Sequence, residues 1–229
     1  SVLPLYALNY CQVVLAHRCV DVKDDERMCQ SALNIAAMAS ALEQDPGTLI
    51  CLRSNRRNRS KLLVSCYATL LRLYLGLQQF DDLGALGMRC LTWAESLNFE
   101  AIDADTSYRL TRNILRVLLV NVLEAWTQHD HALMQRSSRV IARVHNHCHR
   151  RVFDQQSAQE NHRGFADAVL ERVQLLEHAQ HRGDSGGDAE EALPSLMLLM
   201  LKSERELVSE VIRQEHLNKV LPLFSPYLA

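Results

Sequence analysis

Apolar residues recur three or four positions apart between residues 61 and 97, and this spacing limits the possible folds more than any other feature. In the first half of this segment the apolar side chains fall on one stripe of an α-helix, and they are Leu63, Tyr67, Leu70, Leu71, Tyr74 and Leu77. A second stripe follows residues 78–82 and comprises Leu83, Leu86, Cys90 and Leu91. Asp81 or Asp82 can accept the free N–H groups of the second helix's first turn. The spacing predicts a helical hairpin.

The composition favours helices in the rest of the chain as well. Its 229 residues include only 8 Gly and 5 Pro, and aromatic residues make up 6%. A chain so poor in turn-forming residues is poor material for a sheet, and we predict an all-α fold. The net charge of −2 excludes a whole-molecule attraction to nucleic acid or to anionic lipid. Binding of that kind requires a local patch.

Helical spacing also predicts the domain organisation. Besides the hairpin, helices are expected at about 5–20, 24–43, 107–128, 131–151, 161–181, 193–202 and 204–220. Residues 182–192 are rich in Gly, Asp and Ser, which is typical of a flexible linker. We therefore predict a helical-hairpin repeat domain over 1–181, a linker over 182–192, and C-terminal helices over 193–229 that pack on or cap that domain.

The cysteines and the apolar runs indicate a soluble protein of a reducing compartment. Seven cysteines, an odd number, lie scattered without a repeated short spacing, so we expect reduced core residues and a cytoplasmic or nuclear location. No apolar run reaches the roughly 20 residues that span a bilayer. Since the first residue is Ser1, the chain is expected to be a fragment of a longer protein.

The sharpest change in composition lies at residues 52–61, with the sequence LRSNRRNRSK. One interpretation is a loop that binds the phosphates of RNA, DNA or a modified partner, because guanidinium groups match phosphate geometry. Its candidate anion-binding or partner-binding residues are Arg53, Arg56, Arg57, Arg59 and Lys61. The other interpretation is a solvated loop or the first turns of the following helix. No aromatic residue lies within the run to stack on a base.

Metal binding and catalysis find little support in the sequence. His145 and His149 share one face of a helix, but His147 points nearly the opposite way, and no second ligand pair completes a zinc site beside Cys148. No glycine-rich phosphate loop, GxSxG or HExxH motif occurs. We therefore predict no metal ligand, no cofactor and no catalytic residue, and hence a protein that is not an enzyme.

Segment 61–97 resembles a tetratricopeptide-type unit, in which large, small and aromatic residues occupy set positions of a helix–turn–helix. Tyr67, Leu70, Leu71 and Tyr74 match large and aromatic positions of the first helix, and Phe80 matches the aromatic position after the turn. The resemblance implies stacked antiparallel helical hairpins, an α-solenoid. The hairpin is also similar to the helical repeats of PCI-type scaffold subunits, although no strand-rich winged helix is predicted after Arg151.

Two functional hypotheses follow. The first is a non-catalytic scaffold or adaptor whose concave face holds a peptide or helix of a partner protein. The second is a PCI-like or tetratricopeptide-like subunit of a nucleic-acid-handling complex that contacts RNA or DNA through the basic residues at 53–61.

Overall fold

The computed structural model describes residues 23–44, 56–99, 104–150, 156–183 and 188–201. These ranges contain seven α-helices and no strand, and the helices are α1 (Asp25–Gln44), α2 (Arg56–Leu77), α3 (Phe80–Ser96), α4 (Ala104–Thr127), α5 (His131–Arg150), α6 (Gln156–Arg182) and α7 (Asp188–Leu201). The all-α class is confirmed. The helices expected at 5–20 and 204–220 lie outside the described residues.

Two compact units divide between Leu86 and Gly87, inside α3. In the first unit α1 packs on α2. The buried stripe of α1 is the one its spacing predicts, and each member is at most 5% exposed: Met28, Ala32, Ile35, Ala39 and Leu42. Tyr67 of α2 is fully buried, and its hydroxyl donates a 2.6 Å hydrogen bond to Glu43 Oε1 near the end of α1.

The predicted helix–turn–helix is present between residues 56 and 96. Helix α2 ends at Leu77, and the next residue, Gln78, has a φ of 57°, the left-handed conformation common just after a helix. The N–H of Gln79 donates to the Tyr74 carbonyl at 2.9 Å and so closes the last turn. Asp81 and Asp82 lie inside the first turn of α3 rather than before it, where their charges favour the positive end of the helix dipole.

In the second unit, α4 lies at the centre. It packs against α5, α6 and α7, while α6 also packs on α5 and on α7. Because three helices cover it, its buried residues are not confined to one stripe: Val117, Leu118, Leu119 and Val120 are consecutive and all 0% exposed. The contact with α7 makes this unit more closed than a regular repeat array requires.

Helix α7 begins at Asp188, earlier than the start expected at residue 193, so part of the segment expected to be a linker is helical. Polar contacts fasten this helix to its neighbours. Arg172 Nε of α6 donates to Ser195 Oγ at 2.5 Å, and Arg116 Nε of α4 donates to the Met200 carbonyl at 2.8 Å. These two hydrogen bonds hold α7 to α6 at Ser195 and to α4 at Met200.

Among the described helices, none has the length and apolarity to cross a membrane. Of the cysteines that the structure describes, Cys66, Cys90 and Cys148 are buried and form no disulfide, as expected of core thiols. Cys29 is also free but exposed, so its position differs from the expected one.

Candidate functional site

The basic segment predicted to bind anions opens a helix. Arg56 and Arg57 begin α2, whereas Arg53 lies outside the described residues. Arg59 is half-buried, and its guanidinium donates to the carbonyls of Leu42 at 2.6 Å and Glu43 at 3.0 Å. It therefore satisfies carbonyl groups at the end of α1 that have no partner within their own helix.

This contact gives Arg59 a structural role that short-range sequence patterns do not reveal. Lys61 is half-buried and also has an interaction partner. The proposed binding of phosphate by the segment stays a prediction. Arg56 and Arg57 belong to the first turn of α2, and the N-terminus of a helix is its positive end.

A second group of polar residues lies between α5 and α6. His145 and His149 follow each other by one turn of α5, with ring centroids 4.4 Å apart. Their Nε2 atoms lie 2.6 Å and 2.7 Å from the same atom, Asp167 Oδ1 of α6. One atom from each of the three residues that could bind a metal ion lies within 4.8 Å of the other two.

The three side chains differ in their access to solvent. The side chain of His145 is 19% exposed, that of His149 is 38% exposed and that of Asp167 is 52% exposed. Partial burial raises the pKa of Asp167, but hydrogen bonds from the two histidines and their charges outweigh it, so this pKa lies below its ordinary value. On the other side of the His145 ring, Nδ1 is buried without a hydrogen-bond partner.

Asp167 is not among the residues predicted from the sequence. The spacing of His145 and His149 correctly places them on one face, and His147, only 6% exposed, lies on another. Asp167 comes close only because α5 and α6 pack together, and it is a single exposed acid between Ala166 and Ala168 of α6. No short-range signal distinguishes it.

The buried side of α5 carries a thiol that is not activated. Burial raises the pKa of Cys148 to about 11, and a hydrogen bond with Thr111 and the charge of Arg112 only partly oppose this effect. A thiol with that pKa is almost entirely protonated at neutral pH. This argues against Cys148 as a nucleophile despite the neighbouring histidines.

A third feature is a cleft of about 290 Å³ where the end of α3 meets α5. Its lining residues are Asn98, Phe99, Arg143, Asn146, His147 and Arg150. Phe99 and His147 are buried, with ring centroids 5.9 Å apart, whereas Asn146 and Arg150 are exposed. No acidic side chain is among these six residues, so the cleft is cationic.

Arg143 fixes the wall of this cleft. Its guanidinium donates to the carbonyls of Glu95 at 3.1 Å and Leu97 at 3.0 Å, and it lies 5.4 Å from the Phe99 ring centroid. Two turns before it on α5, Arg136 Nε and Nη2 donate to the Glu95 carboxylate at 3.0 and 2.9 Å. The hydrogen bond from Arg136 lowers the pKa of Glu95. Together these contacts hold the end of α3 against α5.

Comparison of the chain with protein-family models, with curated proteins and with solved structures found no match. The all-α architecture is therefore known from the chain's own structure. The resemblance to tetratricopeptide-type units stays a prediction.

Proposed function

We propose that the protein is a non-catalytic scaffold that binds an acidic peptide segment of a partner protein in the cleft between the end of α3 and α5. The observation that carries this proposal is the chemistry of the cleft: two guanidinium groups and two amides surround a buried aromatic floor, with no acid among the lining residues. Guanidinium groups bind carboxylates in paired hydrogen bonds, and amides can bind a peptide backbone.

The size of the cleft also favours a peptide. Its volume of about 290 Å³ is at the lower end of what a small-molecule or cofactor site occupies. That space accommodates one or two side chains of an extended segment. Helical scaffolds commonly bind partners in this way, through a few anchored residues on a preformed surface.

The finer architecture belongs to the same proposal. We infer that helical hairpins stack side by side as in tetratricopeptide-like repeats, and the packing of α4 on α5 and of α5 on α6 supports this. Helix α4 also packs on α7, a contact that a regular array of stacked hairpins does not require. A cytoplasmic or nuclear location remains part of the proposal.

Selection of peptides from a random phage-displayed library tests the function. Enriched sequences should contain Asp or Glu, and Arg150→Glu should weaken the binding of the resulting synthetic peptides by more than about tenfold, since an attractive charge pair is lost and replaced by repulsion. Arg139→Glu makes the same charge change on an exposed part of α5 outside the cleft, and it should leave binding within about twofold. Enrichment of basic or charge-free peptides, or equal weakening by both variants, would contradict the proposal.

Nucleic-acid binding through the basic segment is the second candidate, because Arg56 and Arg57 stand at a helix N-terminus where the dipole disfavours cations. Such placement is more readily understood if a phosphate offsets it. Arg59 must be left unchanged in the test, since it binds the end of α1. Arg56→Gln with Arg57→Gln should reduce the slope of log affinity against log salt by about 0.7 per lost phosphate contact on single-stranded RNA. An unchanged slope would exclude this function.

A further inference from the structure

We propose that His145, His149 and Asp167 form a binding site for a divalent transition-metal ion, with Zn²⁺ as the preferred ligand. The site joins two successive helices, because α5 provides both imidazoles and α6 provides the carboxylate. It lies on a different edge of α5 from the cationic cleft and shares no residue with it.

The geometry needs little adjustment to hold an ion. Zinc bonds of roughly 2.0–2.2 Å in a tetrahedral arrangement place neighbouring ligand atoms about 3.3 Å apart. The two Nε2 atoms now lie 2.6 and 2.7 Å from Asp167 Oδ1, and all three ligand atoms lie within 4.8 Å. The carboxylate must therefore withdraw by well under 1 Å, and the two imidazoles must bring their ligand atoms, now within 4.8 Å, to about 3.3 Å from each other. At 52% exposure, the Asp167 side chain has room for that rotation.

The donor set indicates the class of ion. Mg²⁺ and Ca²⁺ prefer shells built of oxygen atoms, whereas two imidazoles and a carboxylate are ligands of Zn²⁺ and neighbouring divalent transition metals. Three protein ligands leave a coordination position for water or for a group from outside. The partial exposure of His149 and Asp167 gives the ion a path from solvent.

The site is already held together by contacts other than the three ligands. Arg163 Nη2 of α6 donates to the His149 carbonyl at 3.1 Å, and Ser138 Oγ of α5 donates to Glu177 Oε2 of α6 at 2.7 Å. These bonds fix α5 against α6 on both sides of the ligand group. An ion then does not have to organise two free helices before it can bind.

Binding has a proton balance that also limits the affinity. Each Nε2 atom now faces a carboxylate oxygen and must instead present a lone pair to the ion. The one proton that a neutral ring keeps must therefore lie on Nδ1, and a ring that carries two protons releases the Nε2 proton to water. In His145 the Nδ1 atom is buried with no acceptor, which makes that tautomer costly. We therefore expect affinity in the micromolar range.

Titration of the full chain, prepared without a histidine tag and stripped of metal, tests the proposal. Competition against a zinc-responsive dye at pH 7.4 should give one Zn²⁺ per chain. His149→Ala and Asp167→Asn should each weaken binding at least about tenfold. His178→Ala is the matched control, because His178 is an exposed histidine of α6 bonded to the Gln174 carbonyl, and it should leave binding within about twofold.

Two further measurements separate loss of ligands from loss of fold. Far-ultraviolet circular dichroism should be the same for all variants, since the substituted side chains are partly exposed. Co²⁺ in place of Zn²⁺ should give visible ligand-field bands in the wild type and in His178→Ala but not in Asp167→Asn. Absence of stoichiometric Zn²⁺ binding, or binding that the two ligand substitutions leave unchanged, would overturn the proposal.

Discussion

Gly87→Ala should destabilise the second unit, although alanine is the better helix former. Gly87 lies inside α3, and a Cβ atom there would meet Asn121 Oδ1 of α4 at 2.7 Å and Val120 Cβ at 3.2 Å. The first distance is shorter than real Cβ contacts ever are. Asn121 is 1% exposed, and its Nδ2 donates to the Gly87 carbonyl at 2.9 Å. The amide cannot withdraw without breaking this buried bond.

The expected magnitude follows from three effects. The gain in helix propensity is about 1 kcal/mol. Breaking the hydrogen bond of a buried amide costs about 1–3 kcal/mol, and overpacking a close helix contact costs about 1–3 kcal/mol. The loss exceeds the gain, and we expect a net decrease of about 1–5 kcal/mol in the free energy of unfolding. Trp93 and Trp126 both lie in the second unit, so tryptophan fluorescence during urea unfolding reports on it.

A second background decides whether the Asn121 contact is the cause. In an Asn121→Ala background the clashing oxygen is absent, so Gly87→Ala should cost at least about 1 kcal/mol less than in the wild type. Equal costs in both backgrounds, within about 0.5 kcal/mol, would refute the reasoning.

Three other outcomes are expected. Arg59→Ala should lower the stability of the first unit by about 1–3 kcal/mol, because two charged hydrogen bonds to the end of α1 are lost, and hydrogen exchange in 25–44 should rise. The pKa of Asp167 is lower in the folded protein than in the unfolded chain, so the ionised carboxylate stabilises the fold at pH values above its unfolded pKa of about 3.9. This stabilisation is lost as the pH falls through the lower pKa of the folded state. The stability difference between wild type and Asp167→Asn should thus shrink as the pH falls below about 4, as measured by urea unfolding. In the native protein, iodoacetamide at pH 8 should alkylate Cys29 and spare Cys148, as read by mass spectrometry.

The helices themselves could be predicted because their signals are local. In α1 the recurrence of apolar residues every three or four positions specifies both the helix and its buried stripe. The turn after α2 is likewise marked by a break in that spacing. In α4 the spacing of apolar residues predicts a helix but not how many helices pack against it. A helix covered by one neighbour and a helix covered by three share the same apolar stripe, and they differ only in the residues between the stripe positions.

The polar contacts could not be predicted, because each joins residues whose proximity depends on how two helices pack. Arg59 reaches carbonyls 16 and 17 residues earlier in the chain, and a run of arginines looks the same whether or not one of them is used this way. Asp167 is separated from its two histidines by 18 and 22 residues. A shift of α6 along its axis by one turn, about 5.4 Å, would move the carboxylate away from the two histidines while keeping the apolar stripe on the same face.

Helix α5 shows why one element can carry two separate proposed sites. Its period of 3.6 residues directs the core residues to one face, His145 and His149 to the edge beside α6, and Asn146 and Arg150 to the edge beside the end of α3. A different neighbour lies along each edge. Asp167 of α6 meets the two histidines on one edge, whereas on the other edge Arg143 of α5 binds the Leu97 carbonyl at the end of α3. Loss of the carboxylate should therefore leave peptide binding intact, and reversal of the Arg150 charge should leave Zn²⁺ binding intact. Coupling between the two would mean instead that α5 moves as a whole when either site is occupied.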